Sequence, residues 1–200
     1  MNQLKTSWEP GFGTIYTWFG MDKNGKIAVM VNNCWGWLPN ALLSVNDFEN
    51  LLDALNEYKW EESEKYTHYS PNKDGETLLD LYSSLVYKDI KSKKEIDSWI
   101  NNKQFEPLSE INLPSRKGFF VYHGIEGDNP GQDYPVGYNG DTKMGDYFRY
   151  LMPTIYASIE DFPEELRHGI AISDTVDFTV DRLLDSDKID EYFPRVYKNK

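Results

Sequence analysis

The stretch Trp18–Pro39, WFGMDKNGKIAVMVNNCWGWLP, decides how this chain is read. Its first arm begins upstream as TIYTWFG (14–20), rich in the β-branched and aromatic residues that suit a pleated, half-buried surface. KIAVMV (26–31) has the same character. Between the two, MDKNGK carries Asn24-Gly25, the pair favoured in a type I′ turn, whose two central residues need positive φ. A β-hairpin is therefore expected. Beyond it, NNCWGWLPN leaves the sheet where Gly36 and Pro39 interrupt regular structure. Trp35 and Trp37 follow the single cysteine, Cys34. On extended backbone they share a face, either as a plug over the end of the sheet or as exposed anchors for a partner.

Working outward, the chain alternates between helical and strand periods. Ser44, with Asp47 three residues on, resembles a capping box opening a helix over 45–61. Phe48, Leu51, Leu52, Leu55 and Tyr58 form its apolar face. A second helix is expected over 77–90 from Leu78, Leu81, Tyr82 and Leu85, and a third after Ser92 from Ile96, Trp99 and Ile100. The proline-containing segment 105–118 reads as a connector. FFVYHGI (119–125) reads as a strand; YFRYLMPTIYA (147–157) fits a strand with Pro153 at an edge or a helix ending before that proline, and its aromatic and β-branched residues favour the strand. In Ser173–Asp187, Val176, Phe178 and Val180 alternate with polar residues, while Asp174, Asp177, Asp181 and Asp185 also fit one helical stripe. The alternation favours a strand to Asp181, then a turn and a short helix. No repeat or composition break divides the 200 residues. The expectation is one α+β domain over 1–200, with a mainly antiparallel sheet, two to four helices packed on it, and a long Gly/Pro/Asp-rich loop at about 126–145.

Charge and chemistry narrow the function. The net charge is −12, which disfavours direct binding to nucleic acid and suits a basic protein partner. Segment 126–190 holds 15 acids against five bases, so it carries ten of the twelve excess negative charges. One cysteine excludes an internal disulfide and a Cys-based zinc cluster, and Cys34 reads as a buried structural residue. The first ten residues lack a signal peptide's apolar core, and no apolar run approaches a membrane span, so a cytoplasmic protein is expected. His68, His123 and His168 stand alone, with His123 read as a core or edge residue. There is no phosphate-binding, zinc-protease or nucleophile-elbow motif. Asp128, Asp133 and Asp141 lack the spacing of an EF-hand loop. No catalytic, cofactor or metal residue is assigned.

The arrangement within Trp18–Pro39, an aromatic, then G-x-D-x-x-G, a short apolar strand and G-x-x-P, resembles the opening hairpin of immunity proteins from bacterial polymorphic toxin systems, those of contact-dependent growth inhibition included. The resemblance covers about 22 of the 200 residues. It implies a small, acidic, cytoplasmic α+β domain that binds and blocks a cognate toxin domain, often a nuclease. A basic toxin would meet the acidic half. Its candidate contacts are Asp128, Asp133, Tyr134, Tyr138, Asp141, Asp177, Asp181 and Asp185, the last three on an exposed strand face. The alternatives are a hydrolase with a carboxylate or histidine site in the 126–145 loop, and a non-catalytic adaptor.

Overall fold

Alternation along the hairpin sets the two faces of the sheet. The computed structural model describes residues 4–69, 71–90, 92–103, 111–129 and 131–198. Strand β1 (Thr17–Met21) pairs antiparallel with β2 (Ile27–Val31). Trp18, Ala28 and Met30 enter one apolar cluster, whereas Phe19, Ile27 and Val29 enter another. Both faces of this hairpin are covered, so its strands read as nearly continuous apolar runs.

The turn differs from the type I′ expectation. Gly25 alone has positive φ, Gly25 N donates to Asp22 O and Asp22 N to Lys26 O, which makes a three-residue loop with glycine in the left-handed position. Asp22, almost fully buried, holds the tip: Oδ1 accepts from Asn24 N and Lys26 N, and Oδ2 from Phe178 N. Side-chain bonding to this buried acid takes the place of positive φ at Asn24.

Helix α1 (Asn40–Leu43) precedes α2 (Phe48–Trp60). Phe48, Leu52, Leu55 and Tyr58 are buried as the helical spacing requires. The capping box does not form. Ser44 Oγ donates to Asn40 O at the end of α1, and Asp47, itself the N-cap in left-handed backbone, accepts from Asn50 Nδ2. The expected helix over 77–90 is instead β3 (Thr77–Leu79), β4 (Tyr82–Ser83) and turns. Leu78 and Leu85 stay exposed while Thr77 and Leu79 face inward, because β7 offers this segment a strand to pair with. Helix α3 (Lys93–Lys103) buries Ile96 and Ile100 as expected. The connector read over 105–118 lies partly outside the described residues, and its described end holds α4 (Leu113–Arg116).

The remaining strands are β5 (Phe120–Gly124), β6 (Pro135–Val136), β7 (Tyr147–Pro153), β8 (Ile170–Ile172) and β9 (Leu183–Leu184); after α5 (Ile189–Tyr192) comes β10 (Arg195–Val196). The main sheet runs β10-β8-β1-β2-β5-β7-β3, with β9 also on β7, and β4-β6 form a separate ribbon. The fold is α+β and the main sheet is mainly antiparallel, as expected, with two parallel pairs that make it mixed: β8 lies parallel to β1, and β5 parallel to β2. Pro153 is accepted in β7 because it ends the strand. Among the described residues no helix is long and apolar enough to cross a membrane.

The segment 173–181 is a docked loop, not a strand. Phe178 is fully buried against Phe120, Tyr122 and Phe193, while Val180 is exposed. Lys23 N of the hairpin tip donates to Val176 O, and Ser173 N, directly after β8, donates to Met21 O at the end of β1. A short strand (β9) and a 3-10 turn at Ser186–Lys188 follow.

Candidate functional site

Two consecutive non-glycine residues, Asn33 (φ 46°) and Cys34 (φ 70°), adopt left-handed backbone where β2 ends. This conformation is costly for cysteine and persists only where the surroundings fix it. Asn32, fully buried, supplies that fixation: Nδ2 donates to Thr14 O, Oδ1 accepts from Tyr16 N, and its carbonyl accepts from Trp35 N and Gly36 N. Gly36 presses against Tyr147, and Gly145 against the Trp35 carbonyl, too closely for a Cβ at either position. Asn33 Nδ2 then bonds Gly124 O, joining the loop to the end of β5.

The two tryptophans divide. Trp37 packs edge-on against Trp8 beside the first cluster, while Trp35 lines a surface groove. Cys34 is partly buried and lines the same groove, so the expectation of a buried structural cysteine is corrected. Phe12, 92% exposed, and Leu85, 43% exposed, supply apolar walls, and Glu126, Asp128 and Gln132 supply polar ones. Burial and the nearby Asp133 charge raise the Glu126 pKa. Among the described residues neither Glu126 nor Asp128 has an ion-pair partner.

A second concavity, of about 320 Å³, also reaches Asn33. Its floor is one face of the sheet: Val29 and Val31 of β2, Val121 and His123 of β5, and Phe148 and Tyr150 of β7. A β-bulge places Tyr150 as the extra residue opposite Val121 and Tyr122, and its hydroxyl meets that of Tyr87 at 2.5 Å. Lys59 and Trp60 close the cavity from the end of α2. Lys59 is 2% exposed. Its Nζ donates to Asn56 Oδ1 at 3.2 Å and lies 4.1 Å from the Trp60 ring centre. Asn56 is held by donating to Thr17 O and Leu52 O. Burial pulls the Lys59 ammonium down to about 7, against the raising charge of Glu62. Burial, then the Lys59 charge, pulls His123 down to about 4, so the imidazole is neutral at pH 7.

The eight residues expected to contact a partner do not form one surface. Asp133 is buried: its carboxylate accepts from Ser83 Oγ, Ser84 Oγ, Leu85 N and Glu126 N, so it ties the long loop to the segment after β4. Tyr138 is partly buried against the Leu79–Leu81 cluster. Asp177, Asp181 and Asp185 are partly buried rather than on an exposed strand. Asp177 pairs with Lys23 and accepts from Asn24, Asp181 accepts from Asp177 N, and Asp185 pairs with Lys143. The Asp181 carbonyl accepts from Tyr122 Oη, on the face of β5 opposite His123. Asp128, Tyr134 and Asp141 are exposed, and of these Asp128 lines the groove. Among the described residues no three His, Cys, Asp or Glu side chains converge to hold a metal ion.

Sequence reasoning missed Lys59, although a signal was present. Leu52, Leu55 and Lys59 are spaced by three and four, which puts a lysine on the apolar stripe of α2. Comparison with family models, curated proteins and solved structures returned no match.

Proposed function

We propose that this protein is an inhibitory binding partner of the immunity type, which neutralises a basic toxin domain by seating it on the groove at the ends of β2 and β5. The observation that carries the reading is the composition of that groove. Large apolar side chains, Phe12 and Leu85, project outward beside Glu126 and Asp128, carboxylates that no described cation occupies. Apolar anchors bordered by acid suit a cationic protein surface, with the acids speeding encounter and the anchors slowing release. The loop beneath is held rigid by Asn32 and Asp133, so little ordering accompanies binding. Against the hydrolase alternative in the 126–145 loop, the Asp133 carboxylate is engaged by four protein donors.

The test begins with the neighbouring gene: where it encodes a large secreted protein, the C-terminal domain of that protein is co-expressed with this chain. Wild type should restore growth and form a complex with that domain. Phe12→Asp combined with Leu85→Asp should abolish both while leaving the melting temperature unchanged, because both side chains are exposed. Full rescue by the double variant would refute the groove as the interface. Failure of wild type to rescue or bind would refute the function.

A further inference from the structure

We propose that the cavity between the end of α2 and the sheet is a binding site for a small anionic molecule with an apolar body of about two fused rings, its acid group seated on the Lys59 ammonium. The proposal is independent of partner docking at the groove. Lys59 is held in place, not merely buried. Asn56 Oδ1 fixes its Nζ, and the rings of Trp60 and Phe19 lie 4.1 and 5.6 Å away. The chain contains 33 acidic residues, yet among the described residues none lines this cavity. A buried charge without a counter-charge is costly, and methionine would fill the same space without that cost. A ligand acid supplies the missing counter-charge.

The rest of the cavity suits such a ligand. His123 is neutral and offers one N–H. In the Tyr87–Tyr150 pair one hydroxyl donates to the other, which leaves one O–H free to donate. Val29, Val31 and Val121 provide an apolar bed. At about 320 Å³ the space is roughly twice the ~150 Å³ that accommodates benzene, which sets the size of the body. Val86 and Trp99, both exposed, mark the mouth. The titratable groups facing Lys59 are His123 on β5, Tyr87 after β4 and Tyr150 on β7, with Glu62 acting from beyond the helix end. Burial holds His123 down at about 4 and raises Tyr87 and Tyr150, so these three keep their charge between pH 6 and 9 while Lys59 does not.

The probe is 2-naphthoate, ionised throughout this range, compared with neutral 2-naphthamide. Binding is followed by the fluorescence of the cavity tryptophans and by calorimetry in two buffers of different ionisation enthalpy. Saturable binding of the acid at pH 6 is expected, at least tenfold tighter than the amide, with proton uptake that grows above neutral pH. Because Lys59 must be protonated, affinity should fall on the order of 100-fold from pH 6 to 9. Lys59→Met should weaken the acid at least tenfold and leave the amide unchanged. No saturable binding at millimolar acid, equal affinity for acid and amide, or a flat pH profile would each overturn the proposal. If Lys59→Met does not fold, the acid-to-amide ratio and the pH profile of wild type decide.

Discussion

Replacing Asp80 with alanine removes the acid that joins three segments of the fold. Asp80 lies between β3 and β4 and is 8% exposed. Its Oδ2 accepts from Arg149 Nε at 2.7 Å, and its Oδ1 from Arg182 Nη2 at 2.6 Å. Arg149, on β7, is 5% exposed and also donates from Nη1 to Phe178 O. Without Asp80 its guanidinium remains buried with one carbonyl partner. Breaking a buried pair in this way costs about 3–5 kcal/mol. The Arg182 side chain is 36% exposed and can be rehydrated, so Arg182→Met should cost only about 1 kcal/mol. Asp80→Leu with Arg149→Met should recover most of the loss, because replacing both ions with apolar groups is close to neutral. The pH profile adds an independent check. Burial alone would raise the Asp80 pKa, but the hydrogen bonds and charges of Arg182 and Arg149 outweigh it and hold the group below its ordinary 3.8. A folded value below the unfolded one means the stabilisation is complete above 3.8 and is lost as pH falls from there through the folded value. Asp80→Ala should therefore flatten the acid limb of the stability curve. Urea unfolding followed by circular dichroism, at pH 7 and in acid, measures both effects. A cost at pH 7 below about 1 kcal/mol, or Arg182→Met matching Asp80→Ala, would refute the argument that buried Arg149 sets the penalty.

Two further contrasts test the packing by chemical denaturation. Trp18 is fully buried, stacks edge-on with Tyr147 and Phe193, and donates to Tyr147 Oη; Trp18→Ala should cost about 3–5 kcal/mol, and partly exposed Trp35→Ala less than about 2 kcal/mol. Gly145 and Gly25 both have positive φ, but a Cβ on Gly145 would meet the Trp35 carbonyl at 2.5 Å, while Gly25 has open space; Gly145→Ala should cost at least twice the about 1 kcal/mol expected for Gly25→Ala.

Elements whose periodicity matches their burial were legible from the residues alone. The β1–β2 hairpin, the apolar face of α2, α3, β5 and β7 follow from runs of β-branched and aromatic residues or from helical spacing that the tertiary partners do not contradict. Of the groove, Trp35 and Asp128 were singled out from the sequence, since an aromatic beside breaker residues and an acid in a long loop are local signals. Local pattern misled where a distant group outweighed it. Leu78, Leu81, Tyr82 and Leu85 fit a helix, but β7 and the two arginines at Asp80 hold that segment extended. Val176, Phe178 and Val180 fit a strand, but Asp22, 156 residues before Phe178, takes the Phe178 N–H and turns the segment into a docked loop. The sign of a side chain is written in the sequence, and its solvation is not. The same aspartate type is exposed at Asp128, partly buried and paired at Asp177, and buried under four hydrogen bonds at Asp133. Lys59 is the clearest case: its place on the helix stripe follows from spacing, but that β5 and β7 leave a cavity beside it, lined by no acid among the described residues, depends on strands more than 60 residues away, which only the tertiary structure brings to it.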